Sequence, residues 1–219
     1  MAIGQRLAYI VMRAELEGVV CSGAMRGKQH TYALLDERAP NARPLPREEA
    51  LAELTKRYFT SHGPALVQDF AWWSGLTVAD AKAGIEMSKA HLKGDSLGDK
   101  TYWSAPSATA ARLPDPTIHL LPNYDEYLIA YRDHTASLDA RTRTGSPDLY
   151  DVLSRHMIVL NGEVIGGWRN VLNKNEVDVE TRLLAPLSEA QRVALAAAAQ
   201  RYDRFVGLPV TVRPESNER

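Results

Sequence analysis

Apolar residues near the start of the chain recur at helical spacing: Leu7, Ile10, Val11 and Ala14 fall at i, i+3, i+4 and i+7. That spacing predicts a helix over residues 5–16, stopped by Gly18. The period then changes. "VVCSG" and "HTYALL" read as strands on either side of "AMRGKQ", where Gly27 can take a positive φ, so a hairpin with a basic tip follows the helix. "APNARPLP" is a linker, because each proline bars the residue before it from a helix. Past it, Ala50, Leu51, Leu54 and Tyr58 mark a helix over 47–60, with Pro46 suited to its first turn.

"DFAWWSGLTVADAKAGIE", Asp69 to Glu86, carries two short helical patterns broken at a glycine. One helix runs from about Ala65 to Ser74 and ends at Gly75. Thr77 then caps the next, with Asp80 three residues on in the capping-box position. Ala81 and Ile85 face inward in this helix, which reaches about His91. "LKGDSLGDKTYWSAP" predicts a second hairpin. Ala71 and Gly75, four apart, give a helix-turn-helix its small contact residue and its left-handed turn. Residues 47–105 therefore read as three helices and a wing. Residues 5–34 read as the second half of the same unit, whose first half would need further helices before residue 5.

After the Pro-rich "SATAARLPDP" the pattern becomes β-rich. "TIHLL" is a short strand, and residues 123–133, "NYDEYLIAYRD", carry helical spacing. "HTASLDARTRTGSPD" is a loop, and "HMIVLNGEVIGGW" is a hairpin turning on Asn161-Gly162. "EVDVETRLL" alternates as a strand does, and Ser188 with Gln191 caps an Ala-rich helix to about Phe205. The fold class expected is α+β: tandem winged-helix units, the first incomplete, followed by a small β-barrel-like α+β domain. The boundaries are 1–40 for the partial unit, 41–112 for the whole one and 113–213 for the β-rich domain. Residues 214–219 form a disordered tail.

Composition narrows the functions. Of 219 residues, 45% are hydrophobic and 24% charged, as in an ordinary globular chain. The single Cys21 excludes an internal disulfide framework and fits a reducing cytoplasm. The apolar runs are too short for a membrane helix, so no membrane partner is expected. With 26 basic against 27 acidic residues, any contact with DNA must come from local patches. The six histidines show no metal-ligand spacing, and neither a Walker loop nor a dinucleotide fingerprint occurs, so no metal or cofactor is expected.

Arg26 and Lys28 at the first hairpin tip are the better DNA candidates, with Met25 as an apolar wedge. A solvated tip that is basic by chance is the plainer reading. On the third helix Lys82, Glu86, Lys89 and Lys93 share a face that lacks the Arg, Asn or Gln used to read bases. Recognition of duplex DNA there would be of backbone and shape. Lys100, Tyr102 and Trp103 on the second hairpin repeat the idea more weakly, while Trp72 and Trp73 fit the core better than a stacking platform. Asp125 and Arg132, seven apart, fall on one face of the 123–133 helix. With Asp133 they either form a structural polar network or line a cleft against DNA or a substrate.

Together, "CSGAMRGKQHTYALLDERAP", "RYFTSHGPALVQDFAWWSGLT" and "LLPNYDEYLIAYRDH" resemble the bacterial family of winged helix DNA-binding domain-containing proteins, whose characterised members are the AlkZ-type DNA glycosylases. The resemblance runs through nearly the whole chain and matches the C-terminal part of a family member, somewhat more than half. It implies tandem winged helices and a β-barrel-like domain gripping duplex DNA, removal of alkylated bases or crosslinks, and no cofactor. The family's catalytic Gln-x-Gln motif, or its Gln-x-Asp variant, lies in an N-terminal region without a counterpart here. Gln5, Gln29, Gln68, Gln191 and Gln200 show no such pairing, so no catalytic residue carries over. The expected function is DNA binding without catalysis. The alternatives are a winged-helix transcription regulator, a scaffold that binds protein, and an enzyme using the Asp125–Asp133 segment.

Overall fold

The helix that opens the chain, α1 (Ile3–Leu16), leaves its apolar stripe in solvent: Leu7, Ile10 and Leu16 are each more than 60% exposed. The computed structural model describes residues 3–108, 113–138 and 156–215. Contacts divide the chain into two compact units, Met1–Ala50 and Leu51–Arg219. In the first, α1 leads into the antiparallel hairpin β1 (Val20–Ser22) and β2 (Tyr32–Leu34), then the single turn α2 (Leu35–Arg38). Arg26 and Gln29 bridge at the hairpin tip, and Gly27 takes φ 61° there, the left-handed conformation that glycine adopts without cost. Val11 and Ala14 are half-buried, but no hydrophobic residue among those described before Leu51 is buried.

The second unit holds the core. Helix α3 (Arg47–His62) buries Leu51, Thr55, Tyr58 and Phe59, and α4 (Val67–Ser74) buries Asp69, Phe70 and Ala71. Gly75 caps α4 at φ 71°, and Thr77 caps α5 (Val78–Ser88) by accepting the Asp80 N–H. A 3₁₀ turn, Lys89–His91, extends α5 as far as the sequence predicts. Gly84 is where α5 meets α3: a Cβ there would lie 2.2 Å from the Thr55 hydroxyl. The hairpin β3 (Lys93–Leu97) and β4 (Lys100–Ser104) follows. Ala65, between α3 and α4, pairs with Trp103 of β4 through two backbone hydrogen bonds of 3.0 and 2.8 Å.

The β-rich part is one sheet of five strands in the order β5 (Ile118–Leu121), β6 (His156–Leu160), β7 (Glu163–Leu172), β8 (Val177–Leu183) and β9 (Val210–Pro214). Neighbours are antiparallel except β8 and β9, which are parallel. The β6–β7 turn sits on Asn161 (φ 50°) and Gly162 (φ 97°), as the Asn-Gly pair predicts. Between β8 and β9 runs α7 (Glu189–Val206), capped by Ser188 and Gln191. Leu195 and Ala198 of α7 pack on Ile118, Ile158, Trp168 and Val179.

Two expectations need correcting. The barrel-like domain is an open sheet, because β5 and β9 form its two edges and pair with different strands. Strand β9 carries little signal in the sequence, its Val-Thr-Val alternation being too short to stand out beside the polar tail. The helix expected over 123–133 is only α6 (Glu126–Ile129). It stops because Tyr131 and Arg132 turn to bond elsewhere: the Tyr131 hydroxyl donates to the His62 carbonyl and the Arg132 N–H to Asp69.

Candidate functional site

Asp69 stands at the third position of α4 with 4% exposure, where an unpaired carboxylate would be costly. Two backbone donors satisfy it. Oδ2 accepts the Leu66 N–H at 2.8 Å, closing the helix start, and Oδ1 accepts the Arg132 N–H at 2.9 Å. The carboxylate therefore ties the 130s segment to α4. Tyr58 adds a second tie by donating to the Ala130 carbonyl at 2.9 Å. Burial, and then the Asp69 charge, push the hydroxyls of Tyr58 and Tyr131 above their ordinary value.

A cleft of about 250 Å³ opens beside these ties, lined by His62, Asp69, Tyr102, Tyr127, Tyr131 and Asp133 among others. His62 is held on every side. Its ring stacks on Tyr58 at 4.9 Å, Nδ1 lies 2.8 Å from the Ser61 hydroxyl, and Nε2 lies 3.2 Å from Glu126 Oε2. Trp73 donates its indole N–H to the same Glu126 oxygen at 2.9 Å. Asp133 accepts the Thr135 N–H at 2.9 Å and pairs with Lys100 at 3.2 Å. The Thr135 bonds, and then Lys100, hold its carboxyl down to about 2. A larger space of about 990 Å³ adjoins, sharing Leu66, Asp69, Asp133 and Thr135 as lining and adding Gln68, Lys82, Lys100, Arg132 and His134.

Of the residues singled out from sequence, Lys82, Lys100, Tyr102, Arg132 and Asp133 meet around this pair of spaces. Asp125 does not; it caps α6 by accepting the Tyr127 N–H at 2.9 Å. It shares no helix face with Arg132, since α6 ends at Ile129. Lys89 pairs with Glu86 and Lys93 with Asp95, so both lysines already face a carboxylate. Arg26 and Lys28 are exposed on the first hairpin, as is Met25. Trp73 packs against the core as expected, but Trp72 is 60% exposed and donates to the Ile129 carbonyl at 3.2 Å. His62, Asp69, Gln68, Tyr127 and Tyr131 also line these spaces, with no signal in the sequence that marks them as site residues. An Asp at the third helical position signals only the cap, and nothing in the spacing joins Asp69 to Arg132.

The sequence profile described as DNA glycosylase AlkZ-like matches residues 3–205. The chain belongs to the AlkZ-like DNA glycosylase family. Among solved structures, the DNA glycosylase AlkZ of Streptomyces sahachiroi is similar in fold, with a TM-score of 0.65 and 22% sequence identity. That similarity covers 90% of this chain and 55% of the Streptomyces one, so the AlkZ-like chain spans about half the length of its solved relative. No curated protein sequence matches it. Among its described residues, no helix is long and apolar enough to cross a membrane, and no three His, Cys, Asp or Glu side chains are grouped to hold a metal ion.

Proposed function

We propose that this chain is a DNA-binding, winged-helix portion of an AlkZ-type repair protein, gripping duplex DNA chiefly through backbone and shape. The observation that carries the reading is the run α3, Ala65 bridge, α4, α5, β3 and β4, in which the residue between the first two helices pairs with the wing strand. Three helices with a hairpin stitched to their first connection form a winged helix, and here they belong to a family of DNA glycosylases. Residues 1–40 act as a partial unit of the same kind, 41–112 as the whole unit and 113–213 as the β-rich support. The lone Cys21 and DNA as partner support a cytoplasmic setting for this chain. It carries no Gln-x-Gln pair, so by itself it binds DNA without releasing a base.

Arg26 and Lys28 on the first wing supply phosphate contacts, joined by Lys82 and Tyr102; Lys89, Lys93 and Lys100 contribute less because each already has a carboxylate. The test is fluorescence anisotropy with a labelled duplex, intact and with an abasic-site analogue, at low and physiological salt. Salt-sensitive binding that favours the damaged duplex is expected. Replacing Arg26 and Lys28 with Ala should weaken binding to any sequence about equally and flatten the salt slope by about 2. Absence of binding at low salt would leave a protein-binding scaffold as the better account, and a strongly preferred sequence would favour a transcription regulator.

A further inference from the structure

Helix α1 has a second apolar face. Val11 and Ala14 form its half-buried side, while Tyr9, Met12 and Leu16, at i, i+3 and i+7, fall on the opposite side and are each more than half exposed. A helix with one neighbour needs one apolar stripe, and a helix apolar on two sides is built to lie between two neighbours. No hydrophobic side chain described before Leu51 is buried, so this second face has nothing against it.

A charged edge runs between the two faces: Arg6, Arg13 and Glu17. Arg13 spends Nε and Nη2 on one oxygen of Glu17, Oε1, at 2.8 and 2.5 Å. Among the described residues Glu17 Oε2 accepts no hydrogen bond, and the exposed Arg6 guanidinium donates none. The helix therefore holds one spare cation near its start and one spare carboxylate oxygen just past its end.

We infer that this face docks a second copy of the chain, α1 against α1, antiparallel about a two-fold axis at Met12. Spacing carries the assignment. At about 1.5 Å per residue, Arg6 lies about 9 Å from Met12 along the helix and Glu17 about 7.5 Å away on the other side. An antiparallel crossing at Met12 brings Arg6 level with Glu17 of the second copy, on the same flank, to within about 2 Å along the axis. Tyr9 meets Leu16 of the second copy inside that pair with the same offset. Both matches occur twice, as a self-complementary interface requires. Parallel pairing would instead set Arg6 on Arg6, Arg13 on Arg13 and Glu17 on Glu17. Antiparallel helices also oppose their dipoles. A contact between two helices of 14 residues is small, so the dimer is a weak one. The inference is independent of the DNA-binding reading, and its test contains no nucleic acid.

The experiment is sedimentation velocity on the whole chain from about 1 to about 200 µM, a range that brackets the micromolar affinity of a small interface. The mass should rise about twofold across that range. Met12→Lys sets two cations face to face at the axis and should keep the chain monomeric throughout, with an unchanged far-UV spectrum. Arg6→Glu should weaken the dimer about tenfold, and Arg6→Glu with Glu17→Arg should restore it. Both reversals suit the helix dipole, so a loss with the first is not a loss of helix. A monomer at every concentration would overturn the inference and leave the face to a different partner. So would a dimer that survives Met12→Lys. A dimer lost with Met12→Lys but indifferent to Arg6→Glu, or not recovered by the double reversal, would overturn the antiparallel pairing.

Discussion

Tyr124 is a residue the local backbone does not suit. It holds φ 58°, in the left-handed region where a side chain costs about 1 kcal/mol or more, and 78% of its surface is exposed. Neighbours hold the turn in place: Asn123 donates its N–H to His156 Nδ1 at 2.7 Å, and His156 packs on Trp168 at 4.7 Å. Tyr124→Gly should therefore leave the melting temperature unchanged or raise it, whereas the β-branched Tyr124→Val should cost about 1 kcal/mol or more. Asp133 gives a pH prediction with a definite sign. Its carboxyl lies near 2, below the ordinary 3.8, so its contribution is complete above about pH 4 and fades as pH falls towards 2. The carboxylate is 35% exposed, so the contribution stays under about 1 kcal/mol. Thermal melts of Asp133→Asn against the parent should differ at neutral pH and converge in acid.

At the scale of elements, the sequence was legible wherever a local signal sufficed. Gly75, the Thr77 and Ser188 caps and the Asn161-Gly162 turn each act within a few residues, and each lies where its chemistry predicts. The helix over 123–133 failed for the opposite reason. Its spacing is helical, but Asp69, more than sixty residues away, offers Arg132 a better partner for its backbone N–H than another turn would. The cleft was hidden likewise. Asp133 and Arg132 could be suspected from charge, but His62, Asp69 and Tyr131 become neighbours only when α3 and α4 pack against the 130s segment. Gly84 shows how close that packing is. Gly84→Ala would drive a methyl group into Thr55, which is fully buried, and should destabilise by about 1–3 kcal/mol in denaturant titration although alanine is the better helix former.

For the whole molecule, the unequal shares of the two units matter most. Every buried hydrophobic side chain among the described residues lies at or beyond Leu51, while α1 presents Leu7, Ile10 and Leu16 to solvent. A chain beginning at Pro46, just before α3, should therefore fold with a melting temperature close to that of the parent. A large drop would show that residues before Pro46 contribute to stability. The same variant lacks Arg26 and Lys28, so its duplex affinity reports what the second unit supplies alone. Near-neutral net charge conceals this division, because it averages over cations already paired, such as Lys89 and Lys93, and exposed ones such as Arg26 and Lys28.

The parallel seating of β9 on β8 governs the order of events during synthesis. Four strands of the sheet are made before α7, and β9 comes only after it, so the open edge of β8 waits on the ribosome for its neighbour. An exposed edge is a template for stray pairing, and Val177 and Val179 of β8, both fully buried at the end, are uncovered until then. Slow translation through residues 184–209 would lengthen that exposure. A purification tag is accordingly safer ahead of α1 than directly behind β9, where it would compete for the last step in closing the sheet.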